Sequence, residues 1–186
     1  MVLEKQEFTL DALLNLGEDA RVEIVDWELI DKIASGMSHQ VTAMNILRIL
    51  DNYIQEHDIG IVMPDQMTYL MNSSTRGIKN AFVPDVSYFS HESVPENWDI
   101  EKPHPGVPDL AVEIISPSDN AEIVKTKVKT YLEKGTQEVW LVYPKTKEIE
   151  QYSQAKPDFI RNYRGSSQLD TDALFPNIDG LTTDAI

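Results

Sequence analysis

Residues 108–143 constrain the fold more than any other part of the chain. Leu110-Ala111-Val112-Glu113-Ile114-Ile115 is an apolar strand interrupted by one carboxylate, and Ser116-Pro117-Ser118 turns the chain. A lysine-bearing helix then runs to Gly135, and residues 137–143 form a second, strongly apolar strand. Strand, helix, strand in that order reads as a βαβ unit with a right-handed crossover. The fold class that follows is α/β, leaning to α+β, with a mixed central sheet flanked by helices. Glu113 is the residue that does not belong. An unpaired carboxylate in a buried strand costs several kcal/mol unless a cation pairs with it or its pKa moves.

Alternation along the strand puts Asp109, Ala111, Glu113 and Ile115 on one face, and Leu110, Val112 and Ile114, plainly core, on the other. Asp109 lies roughly 13 Å from Glu113 along an extended strand, too far to share an ion with it. It reads as the residue that starts the strand. In the helix, about 100° per residue gathers Val124, Val128, Tyr131 and Leu132 into the stripe that faces the sheet. Lys125 and Lys129 fall in water, whereas Lys127 lies about 60° from Val124, at the edge of the buried stripe. Lys127 sits roughly 10 Å down the helix and Glu113 roughly 10 Å down the strand, so ammonium and carboxylate can meet. A structural ion pair and a catalytic pair are equally good readings of that meeting.

Around this unit, Thr9 caps a short helix over 10–16, closed by Gly17. Residues 22–30 read as a strand or tight hairpin turning at Asp26-Trp27. Ser38 opens the longest helix, to about Glu56, with Val41, Met44, Leu47, Leu50, Tyr53 and Ile54 on one face. Strands over 59–63 and 67–71 precede a polar loop, 72–77, and a strand over 82–89 with Asp85 near its start. Residues 90–108 contain four prolines and little periodicity, the mark of a surface excursion. Strands over 149–152 and 159–163 and an apolar tail, 174–181, that docks on the body complete the chain. Neither repeats nor a linker divide it, so residues 1–186 read as a single domain.

The 31 acidic and 16 basic residues give a net charge of −15, which argues against a general grip on phosphate backbones. A nucleic-acid enzyme is still compatible with it if charge is segregated on one face or supplied by a metal ion. The absence of cysteine rules out disulfides and thiolate metal sites and fits a cytoplasmic protein. No apolar run is long enough for a membrane span, and residues 1–7, mixed and acidic, are not a signal peptide.

Asp85 supplies a second carboxylate, from a neighbouring strand. With Glu113 and Lys127 it makes a hard-metal site with an adjacent cation. The carboxylates would hold Mg²⁺ through oxygen ligands, and the lysine would steady the attacking water or the charge on phosphorus. Taken alone, Pro84-Asp85 is an ordinary turn signal. His39, His57, His91 and His104 lack the tight spacing of a zinc site, and His39 reads as a capping or surface residue. Ser116 and Ser118 read as helix caps, with no base spaced to activate them.

The order Asp85, Glu113, Lys127 resembles the PD-(D/E)XK nuclease superfamily, the restriction-endonuclease-like fold. More narrowly, the chain is similar to the Uma-two family (domain of unknown function 820). The resemblance rests on Val83-Pro84-Asp85-Val86, on Pro108 through Ser118, and on Lys127-Val128-Lys129-Thr130-Tyr131-Leu132-Glu133-Lys134-Gly135 running on into Glu138-Val139-Trp140-Leu141-Val142. Glu23-Ile24-Val25-Asp26-Trp27-Glu28-Leu29 fits a family element that usually has Gly where Trp27 stands. Ser35-Gly36-Met37-Ser38-His39 is close to the usual start of the long helix. The resemblance implies a Mg²⁺- or Mn²⁺-dependent endonuclease that hydrolyses DNA phosphodiester bonds, Asp85 and Glu113 binding metal and Lys127 acting as the catalytic lysine. Glu23 would be an auxiliary acid. The superfamily's Glu-x-Lys spacing would put lysine at position 115, where Ile115 stands, so the lysine has moved to the helix. A homodimer is implied by analogy with nucleases that cut both strands. The rival reading is a catalytically inactive nuclease fold that serves as a binding or interaction module.

Overall fold

In the computed structural model, which describes residues 8–17, 20–32, 35–74 and 76–185, the chain begins with α1 (Leu10–Leu14) and the hairpin β1 (Val22–Val25) and β2 (Glu28–Asp31). The long helix α2 (Met37–His57) follows, then β3 (Gly60–Pro64), β4 (Tyr69–Ser74), β5 (Gly77–Phe82) and β6 (Val86–Ser90). The second half contains β7 (Leu110–Ile114), α3 (Ala121–Lys134), β8 (Glu138–Tyr143), β9 (Glu148–Ser153) and β10 (Ile160–Arg164). The expected mixed sheet is present as six strands in the order β10-β9-β8-β7-β6-β3, and a second, four-stranded antiparallel sheet, β2-β1-β5-β4, accompanies it. The β7 and β8 strands are parallel, joined through α3, as the βαβ reading requires.

Strand alternation sorts the core. Leu110, Val112 and Ile114 face α2, where Ile46, Leu50 and Ile54 are buried at intervals of one helical turn. The docked tail closes that layer with Phe175, Ile178 and Leu181. On the opposite face, Ala111 of β7 with Val139 and Leu141 of β8 packs on Val128 and Tyr131 of α3 and on Tyr69 and Phe82 of the smaller sheet. The six-stranded sheet is therefore covered on both sides, and α3 and the four-stranded sheet share one of them.

Local chemistry explains several boundaries. Thr9 caps α1 by accepting from the Ala12 amide at 3.1 Å. Gly135, with φ at 115°, ends α3 in the left-handed conformation that favours glycine. The hairpin turn places Asp26 and Trp27 at φ of 49° and 74°, the two left-handed residues of a type I′ turn. Glycine at position 27 meets that demand without strain, and Trp27 meets it against its own backbone preference. Backbone contacts to β5 support the turn: the Trp27 amide donates to the Lys79 carbonyl and the Asp26 amide to Asn80 Oδ1, both at 2.9 Å.

Three expectations are corrected. The α2 helix starts at Met37 with Gly36 as its cap, and its buried stripe begins at Thr42, leaving Val41 and Met44 about half exposed (49% and 48%). The span 82–89 is two strands in different sheets. Pro84 cannot donate to a ladder and the chain crosses from β5 to β6 there. Most of the span expected as a polar loop, 72–77, pairs instead between β4 and β5. Residues 90–108 are likewise anchored: His104 is buried beside the Tyr69, Phe89 and Trp98 rings, and its backbone bonds Thr68 and Leu70. Asp109, as expected, sits at the start of its strand, accepting from the Ser90 amide, Ser93 Oγ and Gln137 Nε2.

Because Phe175 is fully buried against Tyr53 and Tyr88, Phe175→Ala should lower unfolding stability by about 3–5 kcal/mol in urea denaturation. A tail resting loosely on the surface would leave the midpoint unchanged.

Candidate active site

Glu113 and Lys127 meet as the helical phase required. Lys127 Nζ lies 2.7 Å from Glu113 Oε2, and the same ammonium bonds both oxygens of Glu23, at 2.8 and 3.0 Å. All three side chains are buried. Tyr131, one turn beyond Lys127 on α3, donates to Glu113 Oε1 at 2.9 Å, and the Val83 amide donates to Glu23 Oε1 at 2.7 Å. The Phe82 ring lies 5.6 Å from the ammonium. A buried ion of this kind persists only because each hydrogen of the ammonium and each carboxylate oxygen finds a partner.

Asp85 enters from the crossing between the sheets. Its amide bonds the Val112 carbonyl, one residue beyond the Val86–Val112 pair, and the β6–β7 register thereby brings it beside Glu113. Asp85 Oδ2 accepts from the Ile114 amide at 2.7 Å and lies 3.3 Å from His39 Nε2; Oδ1 lies 3.3 Å from Lys32 Nζ. Lys32 also donates to Asp65 Oδ1 at 2.9 Å and to the Val83 carbonyl at 2.7 Å. Glu23, Lys32, His39, Asp85, Glu113 and Lys127 line a cleft of about 230 Å³ between the β1–β2 hairpin, the start of α2 and the β7–α3 turn.

Two lysines and an imidazole thus face three buried carboxylates. Burial pushes Asp85 upward, but the His39 hydrogen bond, the Lys32 charge and the Ile114 amide outweigh it and hold the carboxyl at about 2. Burial also pushes Glu113 upward and here it prevails, reinforced by Glu23 and Asp85 and opposed by Lys127. Burial would lower Lys127, yet Glu113 and Glu23 reverse that and raise it. Lys127 is therefore an ammonium at neutral pH, a donor and not a base. The hydrogen bond to Asp85 raises His39 above its ordinary value.

The four residues expected at the site converge, and Glu23, expected as an auxiliary acid, lies against Lys127 as its second counter-ion. Lys32 and His39 were missed. His39 reads as a helix-end residue in sequence, and Lys32 stands at the end of a hairpin with no periodicity to aim it. A signal that would find them is the charge balance itself, since a second buried carboxylate needs a second cation. The donors fit a hard divalent ion: Mg²⁺ is commonly held by one or two carboxylates with water completing its shell, and Asp85, just before β6, and Glu113, on the neighbouring β7, supply oxygens. Among the described residues, no group of three or more His, Asp or Glu side chains converges on a metal position. Every oxygen of Asp85 and Glu113 already has a protein partner, so an arriving ion competes with those partners for the carboxylates.

The Uma2 family, described as "Putative restriction endonuclease", matches residues 6–183, and the chain belongs to that family. Among solved structures, a protein of Anabaena variabilis ATCC 29413, described as "a putative nuclease belonging to DUF820", superposes with a TM-score of 0.80 at 20% identity, over 96% of each chain. No curated protein matches. Among the described residues, no helix is long and apolar enough to cross a membrane.

Removing one partner from the buried cluster strands the others. Lys127→Met should destabilise the metal-free protein by about 3–5 kcal/mol in chemical denaturation; a loss below about 1 kcal/mol, as for exposed pairs, would show that the ammonium is not shared as described. Asp85 also sets an acid limit. Its folded value, about 2, lies below the ordinary 3.8, so the unfolded chain takes up the proton first as pH falls. Its contribution, about 2 kcal/mol, is complete above pH ~4 and lost between pH ~4 and ~2. Asp85→Asn should flatten that part of the stability–pH curve; an unchanged curve would remove Asp85 as its source.

Proposed function

We propose that the protein is a metal-dependent endodeoxyribonuclease, hydrolysing DNA phosphodiester bonds in this cleft. The observation that carries the reading is the convergence of Asp85, Glu113 and Lys127 from three separate elements onto one cleft wall, in a chain of the Uma2 family. Asp85 and Glu113 would hold Mg²⁺ or Mn²⁺. When bound, that ion would supply a Lewis acid that polarises the phosphoryl oxygen and lowers the pKa of the attacking water. Asp85, ionised throughout the physiological range, contributes a fixed negative charge, oriented by the Ile114 amide. Lys127, held protonated, faces charge that grows on the non-bridging phosphate oxygens. Glu23 fixes the position of that ammonium, and Tyr131 orients Glu113. The leaving oxygen departs in line with the incoming water. DNA is the substrate, two copies of the chain would cut both strands, and the cytoplasm is the compartment that fits a cysteine-free chain.

One observation favours a second reading, a non-catalytic module in which the same cluster is structural. All the carboxylate oxygens of the site are paired within the protein, and both lysines lining the cleft are committed to them. A net charge of −15 also opposes DNA binding without a cation at the interface.

A plasmid-nicking assay with Mg²⁺ or Mn²⁺ separates the two. The nuclease reading expects metal-dependent nicking that falls by about 10²-fold or more in Glu113→Ala and in Lys127→Ala, each confirmed as folded by circular dichroism. No nicking of supercoiled, linear or single-stranded DNA at any metal concentration would leave the module reading. Nicking unaffected by both substitutions would identify a contaminant.

A further inference from the structure

Among the described residues, Lys32 is the cleft lysine that the catalytic reading does not use. Its ammonium has three hydrogens and three oxygen acceptors: the Val83 carbonyl at 2.7 Å, Asp65 Oδ1 at 2.9 Å and Asp85 Oδ1 at 3.3 Å. Two carboxylates and a backbone carbonyl form an all-oxygen environment of the kind hard metal ions occupy. The lysine backbone is pinned, because its amide donates to the Arg21 carbonyl at 2.8 Å and continues the β1–β2 ladder. Only 19% of the side chain is exposed.

The geometry points to Lys32 as a tethered cation that holds Oδ1 of Asp85 and must swing aside before a divalent ion can bind that carboxylate. This rests on the reading of Asp85 as a metal ligand. A divalent ion on Asp85 would meet the ammonium at close range in a partly dehydrated cleft, where like charges repel strongly. The displaced side chain has a place to go. Asp65 lines a neighbouring cleft of about 490 Å³, Lys32 forms the wall between the two clefts, and Asp65 is the nearer of its carboxylates. A lysine that releases Asp85 stays neutralised on Asp65. The asymmetry of the three contacts, longest to Asp85, agrees with that order of release. Lys32 thereby sets the threshold of metal occupancy: the resting site is closed by its own cation and opens at a divalent concentration high enough to displace it.

The test is a Mn²⁺ titration of the full chain by calorimetry and by the electron paramagnetic resonance of free Mn²⁺, on the wild type, Lys32→Met, Lys32→Gln and Lys32→Arg. Lys32→Gln keeps a donor for the Val83 carbonyl, so it serves if Lys32→Met does not fold. Removing the charge should tighten Mn²⁺ binding by about tenfold or more, whereas Lys32→Arg should stay near the wild type. The gain should vanish when Asp85→Asn is added. Equal or weaker binding in the uncharged variants, or a gain that survives Asp85→Asn, overturns the proposal. If the wild type binds Mn²⁺ through Asp85 and the variants bind no tighter, the metal reading stands and the tether fails. If the uncharged variants bind and the wild type does not, the tether stands and metal dependence of the native protein fails. If none binds, both fail.

Discussion

The ammonium of Lys127 is shared between carboxylates that belong to different sheets. Glu23 lies on β1 of the four-stranded sheet, Glu113 on β7 of the six-stranded sheet, and the lysine itself on the helix that spans them. Dehydrating any of the three alone would be strongly unfavourable; together they satisfy one another. The Phe82 ring and the Tyr131 hydroxyl extend the arrangement into the apolar layer beneath. The charged cluster therefore also fixes how the smaller sheet sits on the larger one. Chemistry and sheet packing cannot be altered separately at this point.

Beside it, a second cluster is built on the same plan with lower stakes. Asp85 is as deeply enclosed as Glu113, but its partners Lys32 and His39 are more exposed, as is Asp65, and both cations lie 3.3 Å from Asp85. The two carboxylates at the heart of the cleft consequently differ in character. Asp85 is held ionised by several donors, while Glu113 is pushed toward its protonated form by burial and by its acidic neighbours. Environments that drive two nearby carboxyls apart are a recurrent way to give each a distinct role.

The parts legible in sequence were those governed by period. Alternation along β7 separated Glu113 from the α2-facing core, and helical phase selected Lys127 over Lys125 and Lys129, which are both exposed. The βαβ unit followed from the same two periods. Asp85 carried little weight until it was joined to the others and to the family pattern. Lys32 and His39 stayed hidden because their positions depend on where a hairpin end and a helix start land in space, and no local period encodes that. The second sheet escaped for a related reason: 72–77 is polar and 82–89 continuous in apolar character, so hydropathy merged what Pro84 divides. The α2 stripe is rotated from the expected one: Thr42, Ile46, Leu50 and Ile54 are buried, and Val41 and Met44 are about half exposed.

The bond between Lys127 and Glu23 joins residues 104 positions apart in the chain. Contacts of such long sequence separation form late, after the loop-closure entropy of the intervening chain has been met. The βαβ unit, by contrast, is assembled from neighbouring segments and can organise early. The cleft is thus complete only when the N-terminal hairpin is docked on the central unit. A nascent chain has the hairpin first and must wait for α3 to be synthesised. An incomplete chain lacks the assembled site, so the reactive groups come together only in the finished molecule.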